Sequence, residues 1–268
     1  MIISCDAPVN NSLNMEKPIM VPKSNSEDRK ELGIDSEFRL KSGIQIMWYS
    51  SDEIGRDFYS IYRGSQTSNP AINFTEITKV YNDDILLNDT VYLDTTVVLH
   101  KKYYYFIRSI GTDGSESNPS DTVSYILNES PYIISPVNTI SDSFPEFTWI
   151  DNSSIYHFSN EFVIRIENLE ENNLNAIWIA KFYNIWFGLE NYSPISFRFF
   201  PATCEWSEDC DTFHLNAPSN IMSCYGLKEP LLEGSYRWKL KSISLVNNDN
   251  GMDESSGESP WKYFNVEY

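Results

Sequence analysis

Residues 91–125 read VYLDTTVVLHKKYYYFIRSIGTDGSESNPSDTVSY, and this stretch decides the fold. Its centre alternates with a period of two. Tyr103, Tyr105, Ile107 and Ser109 share one face of a strand, while Tyr104, Phe106 and Arg108 share the other. A Gly/Asp/Ser-rich turn follows, and a further strand runs up to Tyr125. Period-two strands joined by short polar turns are the local signature of a β-sandwich. Outward from this stretch the same grammar recurs. Ile44, Ile46 and Trp48 alternate with polar residues, Phe58–Arg63 (FYSIYR) forms another strand closed by Gly64, and Ala71–Val80 supplies one more. Turn signals about every ten residues give a seven-stranded sandwich over residues 37–127.

Residues 128–136 (NESPYIISP) carry two prolines and read as a connection into a second unit. There Phe147 and Trp149 repeat the second-strand pattern, and Phe162, Ile164 and Ile166 alternate. Leu231, Leu232, Gly234, Tyr236, Trp238 and Leu240 repeat the leucine, turn and tyrosine arrangement of the opening stretch. The expectation is an all-β chain of two tandem immunoglobulin-like sandwiches at 37–127 and 131–268. The second is expanded by an insertion at about 181–229, long enough to be a functional or interface element.

In the first unit the residues resemble the fibronectin type III pattern of bacterial surface and secreted proteins. The match is carried by Ile46 and Trp48, by Tyr59, Ile61, Tyr62 and Arg63, and by Tyr92, Leu93, Asp94 and Thr95. Tyr103, Tyr105 and Ile107 continue it, then Gly114, Glu116, Ser117, Pro119 and Ser120. The resemblance implies that Tyr103 is a tyrosine-corner residue whose hydroxyl bonds backbone near the preceding turn. His100, Lys101 and Lys102 depart from it, since a small or glycine-containing turn is usual at that place.

Composition bounds the function. Aromatic residues make up 15 % of 268 residues and are distributed in short runs, which argues for packed cores. A formal net charge of −18 repels phosphate backbones and anionic lipid, so nucleic acid is excluded as a partner on electrostatic grounds. No run is long enough for a membrane-spanning helix. Residues 1–5, MIISC, have the form of a bacterial lipobox, which makes Cys5 a lipidation candidate, although the long apolar segment that should precede it is missing from this sequence. Asp6–Asp35 is polar and proline-containing, and residues 1–36 read as a tether.

The candidate binding residues are the outward row Tyr104, Phe106 and Arg108, together with Trp186, Phe187 and Tyr192 in the insertion, where flat aromatic faces suit a protein or a sugar ring. The alternative for the insertion aromatics, including Phe197, Phe199 and Phe200, is packing against their own sandwich. Cys204, Cys210 and Cys224 are disulfide candidates, with a Cys204–Cys210 bridge the simplest arrangement and buried thiols the alternative. With His214 they lack the Cys-x-x-Cys spacing of a zinc knuckle, and no metal or cofactor is expected. The acidic stretches 83–89 and 247–254 read as solvated turns rather than calcium loops, because an acidic chain produces such clusters by chance. His100, His157 and His214 are scattered and sit in no catalytic motif, so no enzyme activity is expected. Two functional readings remain. One is an exported binding or adhesion protein at the cell surface or in the periplasm, recognising a protein or glycan. The other is a structural or spacer subunit of an extracellular assembly.

Overall fold

The computed structural model describes residues 15–50, 55–65, 72–81, 90–153, 157–171, 175–185, 193–202, 219–248 and 251–268, with backbone only at 246–248 and 251–253. Every regular element among them is a strand, and the chain is an all-β protein of packed sheets. The strands are β1 (Asp35–Phe38), β2 (Ser42–Met47), β3 (Arg56–Ser65), β4 (Asn73–Tyr81), β5 (Val91–Asp94), β6 (Lys102–Gly111), β7 (Val123–Leu127), β8 (Tyr132–Ser135) and β9 (Asn138–Ile140). They continue as β10 (Glu146–Ile150), β11 (Glu161–Asn168), β12 (Ala176–Tyr183), β13 (Ile195–Arg198), β14 (Ile221–Gly226), β15 (Gly234–Asn248), β16 (Gly251–Glu258) and β17 (Lys262–Val266).

Two compact units emerge. Unit 1 is drawn from Met1–Val21, Met47–Tyr92 and Tyr104–Val123; unit 2 from Pro22–Ile46, Leu93–Tyr103 and Ser124–Tyr268. In unit 1, β3 lies between β6 and β4. The period of two sends Tyr59 and Ile61 of β3, and Tyr105 and Ile107 of β6, into a core they share with Trp48, all at most 1 % exposed. Trp48 meets Tyr59 edge-on at 5.3 Å between ring centroids. Beside β6, the amides of Ile107 and Ser109 donate to the hydroxyls of Ser120 and Ser117. These serines complete a ladder that Pro119, with no N–H, could not. The chain reverses at Gly114, whose φ of 81° is a left-handed conformation that glycine adopts without steric cost.

Unit 2 contains a full sandwich. One sheet is β13-β10-β8; the other runs β14-β12-β11-β15, where β15 also pairs β17 and β17 pairs β9 in parallel. Between them sit Ile133, Phe147, Trp149, Ile195 and Phe197 from the first sheet, and Phe162, Ile164, Trp178, Phe182, Trp238, Leu240 and Phe264 from the second. Trp149, Trp178 and Trp238 are fully buried, and truncating any one of them to alanine is expected to cost about 3–5 kcal/mol. Strand β15 serves two partners in succession: Gly234–Trp238 pairs with β17, and Lys241–Asn248 with β16. Ser259 marks the handover, since its amide and hydroxyl both bond Leu240.

The backbone contact expected of Tyr103 is present, and Tyr236 makes a comparable one. The Val98 amide donates to the Tyr103 hydroxyl at 3.1 Å, and the Tyr236 hydroxyl donates to the Leu232 carbonyl at 2.9 Å. The departure at residues 100–102 is accommodated because His100 itself takes φ 61°, the conformation a glycine would supply. Of the stretch 247–254, expected as a turn, residues 247–248 and 251–254 are paired strand ends of β15 and β16, with Asn247 opposite Met252 and Asn248 opposite Gly251, and residues 249–250 lie outside the described residues.

The segment read as a tether is only partly describable, since residues 1–14 lie outside the described residues. From Pro22 to Asp35 it is held against the outer face of the unit 2 sheet. Its loop closes on itself: the Ser24 amide donates to the Leu32 carbonyl at 3.1 Å, and the Leu32 amide to the Ser24 hydroxyl at 3.0 Å. At Gly33 (φ 80°) an added Cβ would lie 2.6 Å from the Pro22 carbonyl oxygen, so only glycine permits this closure.

Candidate binding face

The outer face of β3, β4 and β6 in unit 1 is aromatic where a solvated sheet face is normally polar. Alternation puts Phe58, Ser60, Tyr62 and Gly64 of β3 outward, opposite Tyr81, Lys79, Glu76 and Phe74 of β4. From β6 the outward residues are Tyr104, Phe106 and Arg108, the row expected from sequence, each half-buried. Phe106 is the hub. Its ring stacks on Tyr62 at 4.7 Å and 13°, and meets Phe74 at 4.9 Å. Phe58 contacts Tyr81 at 5.0 Å, with the Lys79 ammonium 4.6 Å from the Phe58 ring. Gly64 is what lets Phe74 lie inward across the strand, because a Cβ there would sit 3.1 Å from the Phe74 ring and 2.5 Å from Ile72.

Polar groups rim these rings. Arg108 donates to the Ser117 carbonyl at 2.9 Å and lies 3.4 Å from the Glu116 carboxylate, which fixes its guanidinium beside Phe106. The Ser60 hydroxyl donates to Glu76 at 3.1 Å. Partial burial, reinforced by Glu76, raises the Tyr62 phenol above its ordinary value and keeps it a neutral donor. Flat apolar rings with a fixed cation and a carboxylate at their edge can stack a planar or ring-shaped ligand and orient its polar substituents.

The other sequence candidates fall differently. Trp186, Phe187 and Tyr192 lie outside the described residues, as do Cys5, Cys204, Cys210, His214 and the acidic stretch 83–89. Of the insertion aromatics that are described, Phe197, Phe199 and Phe200 are core residues. Phe197 stacks on Phe182 at 4.2 Å, so these rings pack their own sandwich. Cys224 is a buried thiol in that core, and burial pushes its pKa far up, which leaves it unreactive.

Two constellations were not found from sequence. The first lies under the 22–35 loop. Alternation along β15 sends Lys239 and Lys241 out of the core, and Arg165 of β11 stands beside them, yet all three are at most 5 % exposed. Glu31 lies 2.5 Å from Lys239 and 2.7 Å from Lys241, and Asp35 lies 2.7 Å from Lys241. Arg165 also donates to the backbone carbonyls of Arg29, Asp28 and Ser26, plugging the loop from below. Burial alone would raise the Glu31 carboxyl, but Lys239, Lys241 and Arg165 together hold it well below the usual range. Asp35, bonded by Tyr125 and Lys241, is lowered likewise. Glu258 goes the other way. Lys239 lies 2.7 Å away and pulls its carboxyl down, but burial together with Glu31 pushes it well above the usual range.

The second constellation joins two histidines distant in sequence. The His100 and His157 rings stack at 3.9 Å and 9°, and His100 Nε2 lies 2.8 Å from Glu129. Parallel rings do not converge their lone pairs on one point, and no metal-holding group of His, Cys, Asp and Glu occurs among the described residues.

No family model matches the chain. No curated protein matches it either. Among solved structures it is similar to the chicken CNTN1 FN1-FN3 domains, with 12 % identity and a TM-score of 0.26, over 94 % of this chain and 66 % of that one. The chain thus spans just under two thirds of that structure's length.

Proposed function

We propose that the chain is a non-enzymatic binding protein whose recognition surface is the aromatic outer face of unit 1. The observation that carries this reading is the cluster of Tyr62, Phe74 and Phe106 around one hub, half-exposed and rimmed by Arg108, Glu76 and Lys79. Contiguous apolar faces on a sheet's outer side are uncommon on soluble proteins and mark interaction sites. The ligand would be a sugar or a protein loop presenting a ring or planar group. We further propose that the chain is an exported, fibronectin type III-like surface protein anchored by lipid at Cys5. The form of residues 1–5 and the type III pattern of residues 37–127 support this.

A glycan array and a panel of extracellular matrix proteins, probed with the wild type and with Phe106→Ala, test the binding reading. A ligand captured by the wild type and lost with Phe106→Ala is expected. Capture that survives this change would move the site elsewhere. Metabolic labelling with a fatty acid, with Cys5→Ala as control, tests the anchor, and an unlabelled wild type would remove it.

A further inference from the structure

We infer that the outer edge of β4 is a homotypic docking edge, on which a second copy of this chain pairs antiparallel through its own β4. At nine residues β4 is longer than the usual strand of about five or six. Thr75, Ile77, Thr78 and Val80 give it strong β character, and it contains neither glycine nor proline. Among the described residues no strand pairs with this edge, and Thr75, Glu76, Lys79 and Tyr81 are exposed. Monomeric proteins blunt such edges with lysine, proline or a bulge. Strand β4 carries one lysine, one glutamate and a bulge, and in this arrangement they specify pairing rather than prevent it.

The register shows how. Tyr62 faces Glu76 and Ile61 faces Thr78, so Ile77 is the extra, bulged residue. That insertion restores parity: it keeps Phe74, Glu76, Lys79 and Tyr81 on one face, although Glu76 and Lys79 are an odd number of residues apart. A twofold axis through the bulge therefore places Glu76 opposite Lys79 of the partner copy, and Phe74 opposite Tyr81 of the partner copy. Each pair occurs twice. Sliding the pairing by one face-preserving step sets Lys79 against itself in one direction and Glu76 against itself in the other. Opposite charges and paired aromatics support only the central register. The pairing would also bring the aromatic faces of two copies onto one continuous sheet surface. It does not depend on what those faces bind.

Sedimentation velocity of the full chain, from low to high micromolar concentration, tests the inference. The wild type is expected to dimerise reversibly. Glu76→Lys and Lys79→Glu, each alone, set like charges opposite one another twice and should weaken the dimer about tenfold. The charge-swapped double variant E76K/K79E should restore it. Lys79→Glu leaves the Ser60–Glu76 hydrogen bond in place and should keep the melting temperature, whereas the two variants that replace Glu76 remove that acceptor and should melt a few degrees lower as monomers. A wild type that stays monomeric throughout overturns the inference, as do single variants that dimerise normally or a double variant as weak as the singles.

Discussion

Glu31 and Glu258 sit either side of Lys239 in the same buried cluster, and neutralising them should have opposite consequences. Glu31 is the anion that balances Lys239, Lys241 and Arg165, at 2.5, 2.7 and 3.6 Å. Glu31→Gln keeps the shape but leaves Lys239 beside Glu258 alone and Lys241 beside Asp35, and breaking a buried ion pair from one side costs about 3–5 kcal/mol. Against a typical total stability of about 5–15 kcal/mol, that is enough to loosen the 22–35 loop or to melt unit 2. Glu258 is pushed well above the usual range, so Glu258→Gln removes a carboxyl whose ionisation the fold opposes. The sign of the linkage follows from the shifts. Glu31, lowered in the fold, contributes stability that is present above its unfolded value of 4.5 and is lost as pH falls through its folded value. Glu258, raised in the fold, contributes stability that is present below 4.5 and is lost as pH rises toward its folded value. Above 4.5 the unfolded chain ionises Glu258 more readily than the folded chain does, so E258Q removes that penalty. Urea unfolding at pH 7, followed by tryptophan fluorescence, should show E31Q strongly destabilised and E258Q equal to or more stable than the wild type. If E258Q loses as much as E31Q, Glu258 is a working anion and the charge assignment is wrong.

Other expectations are independent of that cluster. Tyr236→Phe removes only the hydroxyl bond to Leu232 and should lower stability by about 1 kcal/mol, read by denaturant titration. Gly257→Ala would drive its methyl into the Glu129 backbone carbonyl and should cost more than about 3 kcal/mol or abolish folding, measured as soluble yield and thermal melting. Burial and the neighbouring His100 lower the His157 pKa in the fold. The stability this contributes is present above 6.5 and lost as pH falls through the folded value, because the unfolded chain takes up the proton first. His157→Gln should flatten the melting-temperature profile between pH 7 and pH 5, and an unchanged slope would place the sensitivity elsewhere.

Alternation made the strands legible. Tyr103 and Tyr105 against Tyr104 and Phe106 divide inside from outside without reference to anything distant, and the echo at Tyr236–Leu240 marks a second sandwich by the same local rule. The aromatic face was half legible. Its β6 row follows from parity, but the partners that turn Phe106 into a hub, Tyr62 and Phe74, depend on strand order and on the missing Cβ of Gly64. The ionic cluster was not legible. Lys239 and Lys241 alternate with Trp238 and Leu240 in the manner of any solvated outer face, and their counter-ions stand some two hundred residues earlier, in a stretch whose composition reads as tether. Charge partners on a loop that folds back over a sheet leave no periodic trace. The His100–His157 stack is hidden for the same reason, since pairing across a long sequence separation is a property of topology. In the insertion, packing is the favoured reading of Phe197, Phe199 and Phe200 because contiguous exposed apolar patches are uncommon, and all three do lie in the core, Phe197 through the pairing of β13 with β10.

The rings of β3, β4 and β6 are proposed to serve a ligand rather than the fold. The most direct measurement compares two numbers for Tyr62→Ser/Phe106→Ser: the melting temperature, and the affinity for whichever ligand the wild type captures. Both rings are half-exposed on a sheet's outer side, so the melting temperature is predicted to drop by only a few degrees, about what 1–2 kcal/mol produces. Affinity is predicted to fall at least about tenfold, the loss expected when stacking rings are removed from a recognition surface. A large fall in melting temperature, or an affinity left intact, would contradict the account and return these rings to a purely structural role.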